Sequence, residues 1–77
     1  MKRDWLSSYR DQAGMTHEEV AIKANIKRQY YSMIENGNRN PSVDVAKRIG
    51  MVLNFNWIIF FDNKGNKMFP IAISSNV

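Results

Sequence analysis

The sequence predicts an all-α fold: five short helices, followed by a short extended, β-like C-terminal tail. Three observations carry this expectation. Apolar residues recur at helical spacing in successive short stretches. Residues that cap or terminate helices stand between those stretches. Only the last segment, where Phe69, Ile71 and Ile73 alternate, has the two-residue period of a strand.

The first helix is expected from about Asp4 to Ala13, with Trp5, Leu6, Tyr9 and Ala13 on one face and Gly14 as a left-handed terminator. The second begins at a capping box, in which Thr16 and Glu19 each satisfy a backbone donor of the other. Met15 and Val20 flank that box as a hydrophobic staple, and Val20, Ala21 and Ala24 supply a small buried face. Asn25 suits the left-handed turn at its end. About three residues then separate the second helix from the third, so the two must cross steeply, which is helix-turn-helix geometry.

At about 100° per residue, Arg28, Gln29, Ser32, Met33 and Asn36 fall within one arc of roughly 140° on the third helix. Tyr30, Tyr31 and Ile34 lie opposite and are expected to pack inward, before Gly37 ends the helix. Asn38-Arg39-Asn40-Pro41 reads as a loop and Ser42 as the N-cap of a fourth helix, with Asp44 in its first turn. Val45, Ala46, Ile49, Val52 and Leu53 form its apolar stripe. Gly50, inside that helix, implies close packing against a neighbour. Asn54 terminates it, and Asn56 caps a short fifth helix, Trp57 to Phe61. The extended segment runs from Lys67 to Ser74, where Pro70 restricts it to an edge position. The expected division is therefore a 1–61 helix-turn-helix domain and a 62–77 turn and tail that covers the core or mediates dimerisation.

Seventy-seven residues make one small domain. At this size folding buries about 60% of the unfolded chain's surface, so a second copy would add stability. With no cysteine and one histidine, neither a metal centre nor a disulfide is expected. Nothing in the chain calls for a cofactor. The apolar run Trp57–Phe61 is far shorter than the ~20 residues of a membrane span, and no secretory signal is read at the start, so the expected compartment is the cytoplasm. The formal charge is +4. Lys27, Arg28, Arg39, Lys47 and Arg48 face only Glu35 and Asp44 between positions 27 and 48, which favours a polyanionic partner.

The stretch Thr16–Ala21, followed by Asn25–Ser42 with its I-E-x-G helix exit and R-N-P-S loop, resembles the phage-repressor and Cro type of helix-turn-helix, the xenobiotic-response-element family. The resemblance covers roughly residues 5 to 61. It implies that the third helix lies in the major groove of double-stranded DNA, with Arg28, Gln29, Ser32 and Met33 facing the bases. It places His17 near a phosphate, where the family usually has glutamine, and has Asn36, Asn38, Arg39 and Asn40 grip the backbone. It also implies a structural salt bridge between Arg10 and Glu35. Lys27 departs from the family's serine or threonine cap and reads as a phosphate clamp. Ile58 and Ile59 stand where the family usually has acidic residues. Together with Trp57, Phe69 and Ile71 they are expected to form a two-fold dimer interface.

The expected function is sequence-specific regulation of transcription, as a homodimeric repressor of phage or mobile-element type on a partly palindromic operator. The alternative is a protein-interaction module of the same fold, such as an antitoxin or adaptor, using the C-terminal segment for a protein partner. An enzyme is not expected: Glu18 and Glu19 diverge on a helix, and His17-Glu18-Glu19 lacks the second histidine of a zinc protease. Lys47 and Arg48 are expected on an ordinary solvated face.

Overall fold

The computed structural model describes residues 1–62. The chain forms α1 (Asp4–Gln12), α2 (His17–Ala24), α3 (Arg28–Glu35) and α4 (Val43–Leu53), followed by a 3-10 helix at Trp57–Phe61. The expected five helices are therefore four α-helices and one 3-10 helix. Among the described residues there is no strand. The expected extended segment, with Phe69 and Ile71, lies outside the described residues.

All four α-helices stop in the same way. A residue just past each helix adopts a left-handed conformation: Gly14 (φ 69°), Asn25 (59°), Gly37 (83°) and Asn54 (61°). The next backbone N–H then reaches back five residues, from Met15 to Arg10 O, Ile26 to Ala21 O, Asn38 to Met33 O and Phe55 to Gly50 O, at 2.9–3.2 Å. This closure satisfies carbonyls that a helix end leaves without intrahelical partners. Glycine and asparagine carry the least penalty in that conformation.

The starts are more varied. Thr16 and Glu19 form the reciprocal capping box, at 3.1 Å and 2.8 Å. The Ser42 hydroxyl accepts from Val45 N–H, and the Asn56 side chain accepts from Ile58 N–H. Lys27 opens α3 with no side-chain cap. The Asn56-capped segment is only five residues long and closes through three-residue bonds, Ile59 N–H to Asn56 O and Asp62 N–H to Ile59 O, which is 3-10 geometry.

The core is built from Leu6, Val20, Ala21, Ala24, Tyr31, Ile34, Val45, Ile49 and Leu53. Beside it, Trp5, Phe55 and Phe60 pack edge to face or tilted, with centroids 5.1–5.7 Å apart, and Tyr9 stacks on Phe55. Gly50 is buried against the chain that follows α4, where an added Cβ would sit 2.8 Å from Phe55 O and 3.2 Å from Trp57 Cβ.

Arg48 corrects an expectation. Rather than standing on a solvated face, its Nη1 donates to Ala24 O and Asn25 O at 2.9 and 3.2 Å, and its Nη2 meets Asp44 at 2.7 Å. A helix C-terminus concentrates partial negative charge, so a guanidinium there is held electrostatically as well as by hydrogen bonds. Lys47 stands 5.2 Å above the Trp57 ring.

Candidate nucleic-acid interface

On α3 the inward side holds Tyr31 and Ile34, both fully buried. The opposite side carries Arg28 and Gln29, both exposed, and Ser32 and Met33, both half-buried. One helix thus presents a donor-rich outer arc on a base fixed by two large core side chains. Tyr30 is half-buried and packs against the edge of the core, and the Arg39 guanidinium lies 5.6 Å over its ring.

Glu35, at the end of α3, is 2% exposed and is the centre of a polar network. Its Oε2 accepts from Arg10 Nε and from the Tyr31 hydroxyl, both at 2.8 Å. Its Oε1 accepts from Arg10 Nη2 at 3.2 Å and lies 2.9 Å from His17 Nε2. Burial pushes the Glu35 carboxyl upward, but hydrogen bonds from Arg10, Tyr31 and His17 outweigh it and hold the group below its ordinary range. Burial, then the hydrogen bond to Glu35, raises Tyr31 far above an ordinary phenol. Its own hydrogen bond to Glu35 raises Arg10. Because an ionised carboxylate only accepts, His17 must carry its proton on Nε2, which leaves Nδ1 as the free ring atom. Arg10 also donates to Met15 O at 3.0 Å, so one guanidinium joins α1, the α1–α2 turn and α3.

The flanks of α3 differ in exposure and tethering. Lys27 is exposed at its start. Asn36, Asn38, Arg39 and Asn40 are all exposed beyond its end, bracketing the left-handed Gly37. Of these, Asn40 is held by Arg3, whose Nη2 donates to its Oδ1 at 2.7 Å. Trp57 and Ile59 are half-buried and Ile58 is 53% exposed.

Three ties in this region escape the sequence. His17 bonds a carboxylate 18 positions away, Arg48 caps a helix 24 positions earlier, and Arg3 reaches residues 31 to 37 positions later. Each is a lone polar residue whose partner is set by tertiary packing, and no local spacing announces it.

A packed helix pair joined by a left-handed asparagine turn, with the second helix turning a polar arc outward, defines a helix-turn-helix DNA-binding domain. A helix-turn-helix family model matches residues 6–58, and the chain belongs to that family, of the Cro and C1 type. It is 54% identical over 67 residues to YqaF, an uncharacterised helix-turn-helix-type transcriptional regulator of Bacillus subtilis strain 168, covering 87% of this chain and 88% of that protein. The N-terminal DNA-binding domain of SinR from Bacillus subtilis superposes with a TM-score of 0.70 at 28% identity, covering 82% of this chain and 93% of that one. C.Esp1396I bound to a 25 base pair operator site superposes with a TM-score of 0.60 at 34% identity, covering 73% and 74%. The family is one of DNA-binding regulators of transcription, not of enzymes.

Proposed function

We propose that the protein is a sequence-specific regulator of transcription that lays α3 in the major groove of double-stranded DNA. The outward arc of α3 carries this reading: Arg28 and Gln29 are exposed, with Ser32 and Met33 one turn further along. Arginine can pair bidentately with guanine and glutamine with adenine, while Ser32 and Met33 can meet a thymine methyl. Lys27 and His17 on one flank, and Asn36, Asn38, Arg39 and Asn40 on the other, hold phosphates and set the register. With Nε2 occupied by Glu35, His17 can donate to a phosphate only from a protonated Nδ1. The neighbour in fold described on a 25 base pair operator site is consistent with this use of the helix.

In this reading residues 1–61 are the DNA-binding unit and 62–77 extend it. The regulator is a homodimeric repressor of phage or mobile-element type acting in the cytoplasm. Ile58 and Phe61, 53% and 46% exposed, supply apolar surface for a second copy, beside Trp57 and Ile59. Two copies would set their α3 helices about 34 Å apart, one turn of duplex, on a partly palindromic operator.

Selection of duplexes by the pure protein, followed by anisotropy titration, tests the assignment. Arg28→Ala and Gln29→Ala are expected to relax specificity at one base pair each, by about 1–3 kcal/mol, with the fold intact. Unchanged specificity in both would refute base reading by α3. Ile58→Glu is expected to halve the molecular mass in sedimentation without unfolding the monomer.

A further inference from the structure

We propose that Arg3 is a positioning residue that turns Asn40 into an oriented donor for a DNA phosphate. The inference rests on the major-groove reading of α3 and concerns a residue whose guanidinium is engaged by protein oxygens. Arg3 lies just before α1, and its backbone N–H donates to Glu35 O at 2.8 Å. Its Nη1 donates to Ile34 O and, at 3.1 Å, to Arg39 O, while its Nη2 donates to Asn40 Oδ1 at 2.7 Å. The guanidinium carbon also sits 5.7 Å over the Phe60 ring. One side chain therefore ties together the end of α3, its exit loop and the 3-10 helix.

The chemistry of that last bond carries the proposal. Guanidinium has donors and no acceptor, so the Asn40 atom facing it must be the carbonyl oxygen. The Asn40 NH₂ group is then left for the solvent side, where the residue is exposed. Phosphate oxygens only accept, so an amide locked this way offers them its useful end, whereas a free asparagine would offer either. Lysine could supply the charge of Arg3. It could not supply a planar fork reaching three oxygens at once.

The test is a double-mutant cycle read by anisotropy, on a selected duplex and on a scrambled duplex of the same length. Arg3→Lys and Asn40→Ala are each expected to weaken binding to both duplexes by about tenfold. Arg3→Lys with Asn40→Ala together should be no weaker than the worse single variant, because both remove the same contact. The salt slope of Arg3→Gln should match wild type, since Asn40 is neutral and Arg3 itself neutralises no phosphate. Asn40→Asp should keep its unfolding midpoint, its carboxylate still facing Arg3, and bind more weakly than Asn40→Ala. Wild-type binding by Arg3→Lys, losses that multiply in the double variant, or wild-type binding by Asn40→Asp would each overturn the proposal. So would a salt slope flatter by about 0.9 in a variant that removes the charge, Arg3→Gln, because Arg3 would then neutralise a phosphate itself. Asn40→Ala and Asn40→Asp leave the α3 carbonyls capped, so wild-type binding by either overturns the proposal even if Arg3 variants lose stability. Failure of wild type to prefer any selected duplex sinks the functional reading; preference with an additive cycle sinks only the role of Arg3.

Discussion

The Tyr31 hydroxyl donates to Glu35 Oε2 at 2.8 Å from one turn earlier on the same helix, so α3 carries both a buried acid and one of its hydrogen-bond donors. The remaining donors come from α1 and α2, through Arg10 and His17. Helix α3 is thereby fixed in rotation by polar contacts as well as by the apolar packing of Tyr31 and Ile34. Tyr31→Phe removes one donor and is expected to cost about 1–2 kcal/mol in urea denaturation. Glu35→Ala leaves Arg10 and Tyr31 without their shared acceptor and is expected to cost about 3–5 kcal/mol.

The same network sets an acid limit. The Glu35 carboxyl titrates lower in the folded chain than in the unfolded one. Its contribution is therefore complete above the unfolded value of about 4.3 and is lost as pH falls through the lower folded value. Free energies of unfolding measured from pH 7 downward should fall more steeply below about pH 4.3 in wild type than in Glu35→Gln. At the other end Tyr31 is raised, so its contribution is complete below about pH 10 and declines above it. Tyr31→Phe should remove that alkaline limb.

Lys27 opens α3 without a cap. Lys27→Ser is expected to stabilise the fold by about 0.5–1 kcal/mol by supplying the missing acceptor. In the phosphate-clamp role it should also weaken DNA binding and flatten the salt slope by about 0.9. Opposite signs for stability and affinity at one position separate a functional lysine from a merely tolerated one.

Gly50→Ala would ordinarily gain up to about 1 kcal/mol of helix propensity. Here the new methyl would lie 2.8 Å from Phe55 O and 3.2 Å from Trp57 Cβ. The expected outcome is a net loss of about 1–3 kcal/mol in denaturation, because the chain after α4 must move outward. Any gain in stability would show that this segment yields easily.

Local chemistry was the legible part of the fold. Thr16 with Glu19, Ser42, and the terminators Gly14, Asn25, Gly37 and Asn54 act on backbone groups within a few positions, so their spacing alone announces them. The outward arc of α3 was legible for the same reason, since helical arithmetic needs no tertiary information. Helix type at Trp57–Phe61 was not, because five residues are too few to separate a three-residue from a four-residue hydrogen-bond period. Arg48 was misplaced for another reason. A long side chain with an apolar stem and a polar end can serve a wet surface or cap a distant element, and only packing decides.

The hold of Arg48 on Ala24 and Asn25 bears on how such a reader can be re-engineered. The bend between α2 and α3 is braced from α4, while Arg10 braces the far end from α1. A two-helix segment transplanted into a foreign scaffold would leave both guanidiniums behind and lose its angle. The transferable unit is the four-helix body, and under the proposed major-groove reading it is positions 28, 29, 32 and 33 on that body that would be exchanged to change specificity.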